Sequence, residues 1–511
     1  MNTSSVSRSH KERQATVLPL TARELRSKRS AFWKKERERM TLSLFLRCVN
    51  GISAYKKFLL KKGTKAQTII KSGDLSLIPV ETKREYLRSF EWKDLLWGGA
   101  LEKGTSILTA TSGSTGAPFY FPRGDALHQQ SSIMHELFLL TSGLDLKKPI
   151  LVVDCFGMGV WIGGLITYEA FKKLGERGYP ITVVTPGVNK KEIFDALRHV
   201  GGSFTQIILC GYPPFIKDVV DEGEDHGVDW KKYDMRIVFA AEAFSEEFRD
   251  YMMEKTGMKN PYRSTMNVYG SADIGTMAQE TPLCIFVRRM ALSRPGLYKR
   301  LFSEATRLPT LAQFVPSFIN FEIKEGTVVL TADSKLPLIR YAIGDSGGVF
   351  EYDFLEQAFK EEGLDLTREL TRAKLQFTTS ELPFVYIYER SDLSIKIYGV
   401  IIYPEHVKVA LSHKEFSPFI TGKFTLFTKH DSNQHEHMEV NIELKPDKKP
   451  SAKLEETLKK VIVETLQELS AEYKDMSTHN AASVVPVVRL WPNGDPTYFK
   501  GGAKQRWVAK E

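Results

Sequence analysis

The chain has 511 residues, enough for several domains or for one large domain and a small one. A hydrophobic fraction of 42% is ordinary for a folded globular protein, and no apolar run reaches the ~20 residues that a membrane helix needs. The net charge of +9 is uneven: residues 1–100 hold 22 Lys and Arg against 9 Asp and Glu, so the rest of the chain is slightly acidic.

Residues 1–20 are polar and basic without an apolar centre, which reads as a disordered segment rather than a secretory signal. Cys48, Cys155, Cys210 and Cys284 lie far apart with no CxxC pair, the pattern of reduced, partly buried thiols in a cytoplasmic protein and not of a zinc cluster. From 21 to 100 a basic helical lead-in is expected, with apolar residues at three- and four-residue spacing through Leu42, Phe45, Leu46 and Val49. Residues 22–35 read as a basic helix carrying Leu25, Phe32 and Trp33. Such a surface attracts an acidic carrier protein, a membrane or nucleic acid. The interleaved Glu24, Glu36 and Glu38 argue against a nucleic-acid arm, and a helix capping the main domain is the simpler reading.

Ser106-Ile107-Leu108 reads as a short strand that runs into Thr109-Ala110-Thr111-Ser112-Gly113-Ser114-Thr115-Gly116-Ala117-Pro118. A run this dense in Ser, Thr and Gly is poor helix or strand material. Its glycines leave the backbone unobstructed, so successive N–H groups and hydroxyls can cradle phosphate oxygens. It lacks the Lys of a P-loop. Taken alone, it reads as a flexible surface loop.

Further along, 126–140 is a predicted helix, 149–154 a buried strand ending in the turn Gly157-Met158-Gly159, and 161–174 a helix. Strand 181–184, helix 190–200 and strands 206–210 and 235–240 follow. This alternation predicts a doubly wound α/β domain with ligand sites at the carboxyl ends of its strands. Residues 281–318, with Arg288, Arg289, Arg294, Lys299, Arg300 and Arg307, read as a helical insertion. Residues 321–331 and 347–352 read as β-structure. A boundary near Asp392 precedes strands 424–427 and 439–444, helix 454–473 and strand 484–490, a compact α+β domain of about 120 residues. His430, His435 and His437 with Glu436 and Glu439 have metal-ligand character, but their hydrophilic surroundings read as a solvated hairpin tip.

The loop at 109–118 resembles the TSG[ST]TGxP signature of the adenylate-forming superfamily, which includes acyl-CoA synthetases, luciferases and peptide-synthetase adenylation domains. The resemblance recurs in order. Phe239-Ala240-Ala241-Glu242-Ala243-Phe244 resembles the turn under the adenine, Val268-Tyr269-Gly270-Ser271-Ala272-Asp273 the YGxTE motif, and Arg340-Tyr341-Ala342-Ile343-Gly344-Asp345 the YRTGD motif. Tyr388-Glu389-Arg390-Ser391-Asp392 with residues 396–404 resembles the family's GRxDD hinge and the loop beyond it. Residues 78–88 and the Phe after Pro118 are similar to the phenylacetate–CoA ligase branch.

The resemblance implies an α/β fold: a large N-terminal domain (21–391) of doubly wound sheets and a small β-barrel, with a smaller, mobile α+β lid (392–511). It implies an acid–thiol ligase that forms AMP and uses ATP, Mg²⁺ and CoA. Joining a carboxylate to the α-phosphorus of ATP brings two anions together, so the site needs phosphate donors, a metal and a cation. By the resemblance, Thr111, Ser112, Gly113, Ser114, Thr115 and Gly116 hold phosphates, Ala241 and Glu242 flank the adenine, and Tyr269 stacks on it with Gly270 and Ser271 beside it. Asp273 stands where the family has its Mg²⁺-ligand Glu, a hard-oxygen ligand one methylene shorter; taken alone it reads as a helix N-cap. Asp345 binds the ribose, Arg390 reaches ribose or phosphate, Asp392 is the hinge, and Gly399 faces the thiol. The catalytic lysine has three registers near 498–508: aligning Ala503 puts Gly502 in its place, and shifting the loop puts Lys504 or Lys500 there; Lys504 is preferred.

Aryl and arylacetic acids are the favoured substrates, with Tyr212-Pro213-Pro214 and Phe239 as pocket wall. One alternative is transfer to an amine or a carrier-protein thiol. Another, motivated by Ala272, Asp273 and the lysine register, is a weakly catalytic nucleotide-binding or assembly protein. No membrane span and no nucleic-acid partner are expected, and a homodimer is left open.

Overall fold

The computed structural model describes residues 20–101, 105–111, 118–302, 308–388, 394–431 and 435–499, without the side chain of Glu405. The chain divides into two compact units. One comprises Met1–Ile107, Pro122–Thr141 and Met277–Ile387; the other comprises Leu108–Phe121, Ser142–Thr276 and Tyr388–Glu511.

The first unit opens with helices Ala22–Ser27, Ser30–Gly51, Ser53–Lys61 and Ala66–Ser72. Thr21 and Glu24 form a reciprocal capping box at the first of these, each side chain bonding the other's backbone N–H. Helix Ser30–Gly51 buries Trp33, Leu44, Phe45 and Cys48. Trp33 packs with Leu20, Leu25, Met134, Val315 and Phe318 into one apolar cluster. The basic residues of this lead-in are used locally: Arg29 pairs with Glu381, Arg37 with Glu351, and Arg47 with Asp333. The single helix expected over 22–35 is two helices, broken at Lys28 and Arg29, whose extended backbones end the first and start the second, and three of the lead-in's arginines are paired within the unit.

The β-structure of this unit is antiparallel. Strand Ile319–Lys324 pairs with Thr327–Ala332, which pairs with Leu338–Phe350; Phe384–Tyr388 pairs with Thr310–Gln313. The single β-segment expected at 321–331 is a hairpin, turned at Glu325 and Gly326, both with positive φ. Tyr352, expected at a strand end, instead opens the amphipathic helix Tyr352–Glu361. Residues 281–318 hold helices Pro282–Ser293 and Pro295–Leu301, each started by proline, and then enter strand Thr310–Gln313. Arg288 is buried there on Glu280 at 3.0 Å.

The second unit is built on five parallel strands in the order Ile181–Val184, Ile150–Asp154, Gln206–Gly211, Asp234–Ala240, Thr265–Ser271. Their apolar runs suit strands covered on both faces. Helices Ile162–Glu176, Lys190–Val200, Pro213–Glu222 and Glu246–Thr256 connect them. Asn189 caps the second of these, accepting the N–H of Glu192 at 3.3 Å. The later part of the unit has a short hairpin, Ile395–Ile397 with Val400–Ile402, and a sheet of Ile420–His430, Glu436–Leu444 and Val487–Trp491. The helix expected at 454–473 is two helices, Ala452–Leu469 and Ala471–His479, because Ser470 stops the first and caps the second. A contiguous core joins Leu151, Ile207 and Ile237 to Ile397, Val440 and Leu458. Among the described residues, no helix is long and apolar enough to cross a membrane.

Candidate functional site

Parallel strands bring their carboxyl ends to one edge of a sheet, and the loops that leave that edge can converge on a ligand. In the second unit these loops begin at Asp154, Gly211, Ala240 and Ser271. Thr111 closes a further loop beside them. Its N–H donates to the Phe119 carbonyl, and its Oγ1 accepts the Phe119 N–H, both at 3.1 Å. The preceding Ala110 N–H donates to the Val160 carbonyl at 3.0 Å, which ties the base of this loop to the turn at Gly157–Gly159. Ser112, Gly113, Ser114, Thr115 and Gly116 lie outside the described residues, as do Arg390, Asp392, Lys500 and Lys504.

Ala241 has a left-handed backbone, φ 75°, which costs an L-residue about 1–2 kcal/mol. Its carbonyl accepts Lys396 Nζ at 2.7 Å. Glu242 is buried, its carbonyl accepting Asn267 Nδ2 at 3.1 Å and its Oε1 accepting the N–H of Gly399. Phe239, expected as pocket wall, is fully buried and packs on Phe244 with ring centroids 4.9 Å apart, so it belongs to the core.

Tyr269 is nearly buried at the end of its strand. Gly270 is dictated by a close approach: a Cβ there would stand 2.8 Å from the Gly275 carbonyl oxygen. Ser271 Oγ accepts the Ile274 N–H at 3.2 Å and closes the turn that holds Ala272 and Asp273. Asp273 therefore lies in a strand–strand turn, partly exposed, and not at a helix N-cap. Among the described residues no group of three or more His, Cys, Asp and Glu side chains could hold a metal ion. A Mg²⁺ bound mainly through phosphates needs only one or two carboxylates from the protein.

Asp345 lies in the first unit, partly exposed on strand Leu338–Phe350. The motif's Arg340 is structural: its φ is 49°, and its guanidinium is held by Glu322, the Ser76 carbonyl and the Ile78 carbonyl. Segment 78–88 is bound to the same strand. The Glu81 N–H donates to Arg340 O at 3.0 Å, and Glu81 O accepts the Ala342 N–H at 2.9 Å.

Tyr212, expected as pocket wall, lies beside the hairpin tip, and two further groups, Tyr398 and Asp154, have little signal in the sequence. Tyr212 starts helix Pro213–Glu222, and its ring lies beside Gly399, where a Cβ would come within 2.5 Å of it. Burial pushes its phenol pKa up, with the Glu472 carboxylate adding to the shift. Tyr398 precedes Gly399 at the tip of the short hairpin, and its phenol is pushed up by burial and by Asp218. Asp154 is fully buried at its strand end. Burial pushes its carboxyl well above the usual range, and its Oδ2 has no hydrogen-bond partner among the described residues. The one cue available in advance was Tyr398-Gly399 between two short apolar runs, the spacing of a two-residue hairpin.

No protein-family model matches the chain, and no curated protein matches it in sequence. Solved structures do. A 2-hydroxyisobutyryl-CoA ligase in complex with 2-HIB-AMP and CoA, in the thioesterification state, is 14% identical, with a TM-score of 0.61 over 95% of this chain and 91% of that one. The same ligase with R3-HIB-AMP in the postadenylation state gives 0.52 at 14% identity over 95% and 91%. Its open conformation gives 0.52 at 14% identity over 96% and 94%. The chain therefore shares the fold of this CoA ligase over 95% of its length.

Proposed function

We propose that the protein activates a carboxylic acid with ATP and passes the acyl group to a thiol, that of CoA, with aryl and arylacetic acids as the favoured class. The observation that carries this reading is the convergence on one sheet edge of the turns at Ala241–Glu242 and Tyr269–Asp273, with the tip of the 395–402 hairpin bonded to Glu242. The fold shared with a CoA ligase supports it.

In the first step a carboxylate oxygen attacks the α-phosphorus, and the bond to pyrophosphate breaks. Thr111 and the loop after it would hold the phosphates, Tyr269 and Glu242 would flank the adenine, Asp345 would bind the ribose, and Arg390 would reach ribose or phosphate. Asp273 would hold Mg²⁺, which when bound neutralises phosphate charge. Lys504, or Lys500 in the other register, would place its ammonium at the reacting oxygens. In the second step the thiol attacks the acyl carbonyl, loses its proton and expels AMP, with residues 392–511 acting as the lid and Gly399 facing the thiol. The pairing of Arg29, Arg37 and Arg47 within their own unit leaves less charge for an acidic carrier protein, which favours CoA as acceptor.

The test is acid-dependent ATP–pyrophosphate exchange with pooled aryl, arylacetic, fatty and amino acids, with Lys500→Ala and Lys504→Ala alongside. Exchange with one pool, lost in one lysine variant, is expected. ATP binding without exchange in any pool would overturn the reading.

A further inference from the structure

Tyr398 and Gly399 form the two-residue turn between Ile395–Ile397 and Val400–Ile402, in which Ile397 pairs with Val400. Both backbones are left-handed, φ 50° and 82°. Asn-Gly is the usual sequence for that turn, and a bulky residue in its first position is unfavourable. The Tyr398 ring is 2% exposed, which accounts for an aromatic residue, but burial alone would be served equally by Phe.

The polar groups of Tyr398 have their own partners. Its N–H donates to Glu436 Oε2 at 3.1 Å, and its hydroxyl donates to Asp218 Oδ1 at 3.3 Å, a long bond for an O–H donor. Asp218 is itself fixed. It is 6% exposed, and its Oδ2 accepts Ser483 Oγ at 2.8 Å and Lys190 Nζ at 3.2 Å. Asp218 belongs to helix Pro213–Glu222, the helix that begins at Tyr212, where the ring meets Gly399. One turn of the hairpin thus places the Tyr398 hydroxyl on Asp218 and the Gly399 N–H on Glu242.

We propose that Tyr398 is a positioning residue for acyl transfer to the thiol: with Asp218 and Glu436 it latches the hairpin tip so that Gly399 meets Glu242. The inference rests on the reading of the site as an acid–thiol ligase. The latch acts after adenylation, so the two half-reactions separate it from a structural role.

The test compares the wild-type chain with Tyr398→Phe, Asp218→Asn and the double variant. Three quantities are read: pyrophosphate exchange, thioester formation with CoA, and hydrogen exchange of the amides in 395–402. Tyr398→Phe keeps the ring. We expect it to leave pyrophosphate exchange and the KM for ATP within about twofold, while the CoA step slows about fivefold, the size of one ordinary hydrogen bond. Amides of the hairpin should exchange faster by a similar factor. Asp218→Asn also weakens the contacts of Oδ2 with Ser483 and Lys190, so it should slow the CoA step at least as much, and the double variant should be less than additive because both changes touch the bond between Tyr398 and Asp218. An unchanged CoA step and unchanged amide protection in Tyr398→Phe would overturn the latch alone. Absence of acid-dependent exchange in the wild-type chain would remove the proposed activity and the latch's role with it.

Discussion

Replacing Gly399 with Ala tests how tightly the hairpin tip is seated. The backbone at 399 has φ 82°, and a Cβ there would stand 2.5 Å from Tyr212 Cδ1 and 2.6 Å from Cε1. The left-handed backbone costs an alanine about 1–2 kcal/mol and the overpacking about 1–3 kcal/mol, so the seated tip should lose about 2–5 kcal/mol. The cheapest response is for the tip to withdraw from Tyr212 and Glu242 rather than for the unit to unfold. A penalty at the lower end already reduces the seated population about 30-fold. Rapid-quench measurement of both half-reactions should therefore show adenylation largely kept and thioester formation reduced by about that factor or more. The steric part belongs to the Tyr212 ring, so the same substitution in a Tyr212→Ala background should cost only the backbone part, about 1–2 kcal/mol. An identical loss in both backgrounds would show that the Tyr212 contact is not what Gly399 accommodates, and an undisturbed CoA step in Gly399→Ala would refute the seating itself.

Burial pushes the Glu472 carboxyl from 4.5 up to about 7, so the folded chain keeps a proton that the unfolded chain has released, and stability falls as pH rises from 4.5 to 7. Glu472→Gln should raise the stability measured by urea unfolding at pH 8 by about 1–3 kcal/mol and leave it unchanged near pH 4.5; a gain of equal size at both pH values would refute this. Glu81 is fully buried, accepts the Ile339 N–H at 3.0 Å, and is held well above the usual carboxylate range by burial. Glu81→Gln should thus cost less than about 1 kcal/mol, and Glu81→Ala about 2–4 kcal/mol, in the same assay; equal costs would mean that the acid is charged. Gly270→Ala presses a Cβ on the Gly275 carbonyl, where backbone cannot yield easily. It should cost about 1–3 kcal/mol and weaken ATP binding in calorimetry, and unchanged binding would separate this turn from the nucleotide.

The parallel strands were legible because strands covered on both faces leave uninterrupted apolar runs. Strand Ile181–Val184 and helix Lys190–Val200 match their expected bounds, the latter marked by the Asn189 cap. Less legible were the places where one polar residue redirects a continuing pattern. Ser470 divides one amphipathic run into two helices, and Glu325 takes a left-handed turn that its side chain does not advertise. At the site, motif order pointed to Ala241, Glu242, Tyr269 and Gly270, and the structure brings the turns holding them to one edge. It could not point to the left-handed backbone at Ala241, or to the bond from Lys396 to its carbonyl. Nor could it point to the bond between Tyr398 and Asp218, 180 residues apart, since such pairs are fixed only by packing. Phe239 shows the converse error: an aromatic at a strand end looks like pocket wall until Phe244 covers it.

The lead-in helix Ser30–Gly51 also governs how the N-terminal segment can be studied. It contributes Trp33 to an apolar cluster with Met134, Val315 and Phe318, and Arg37 and Arg47 sit on Glu351 and Asp333. Removing the first 40 residues would open that cluster to water and leave Glu381 and Glu351, both partly buried, without Arg29 and Arg37. A shortened chain of this kind would report on the loss of a wall rather than on the loss of a partner. Charge at the N-terminus is better probed by single reversals at Lys34 or Lys35, both exposed and away from these pairs, than by truncation.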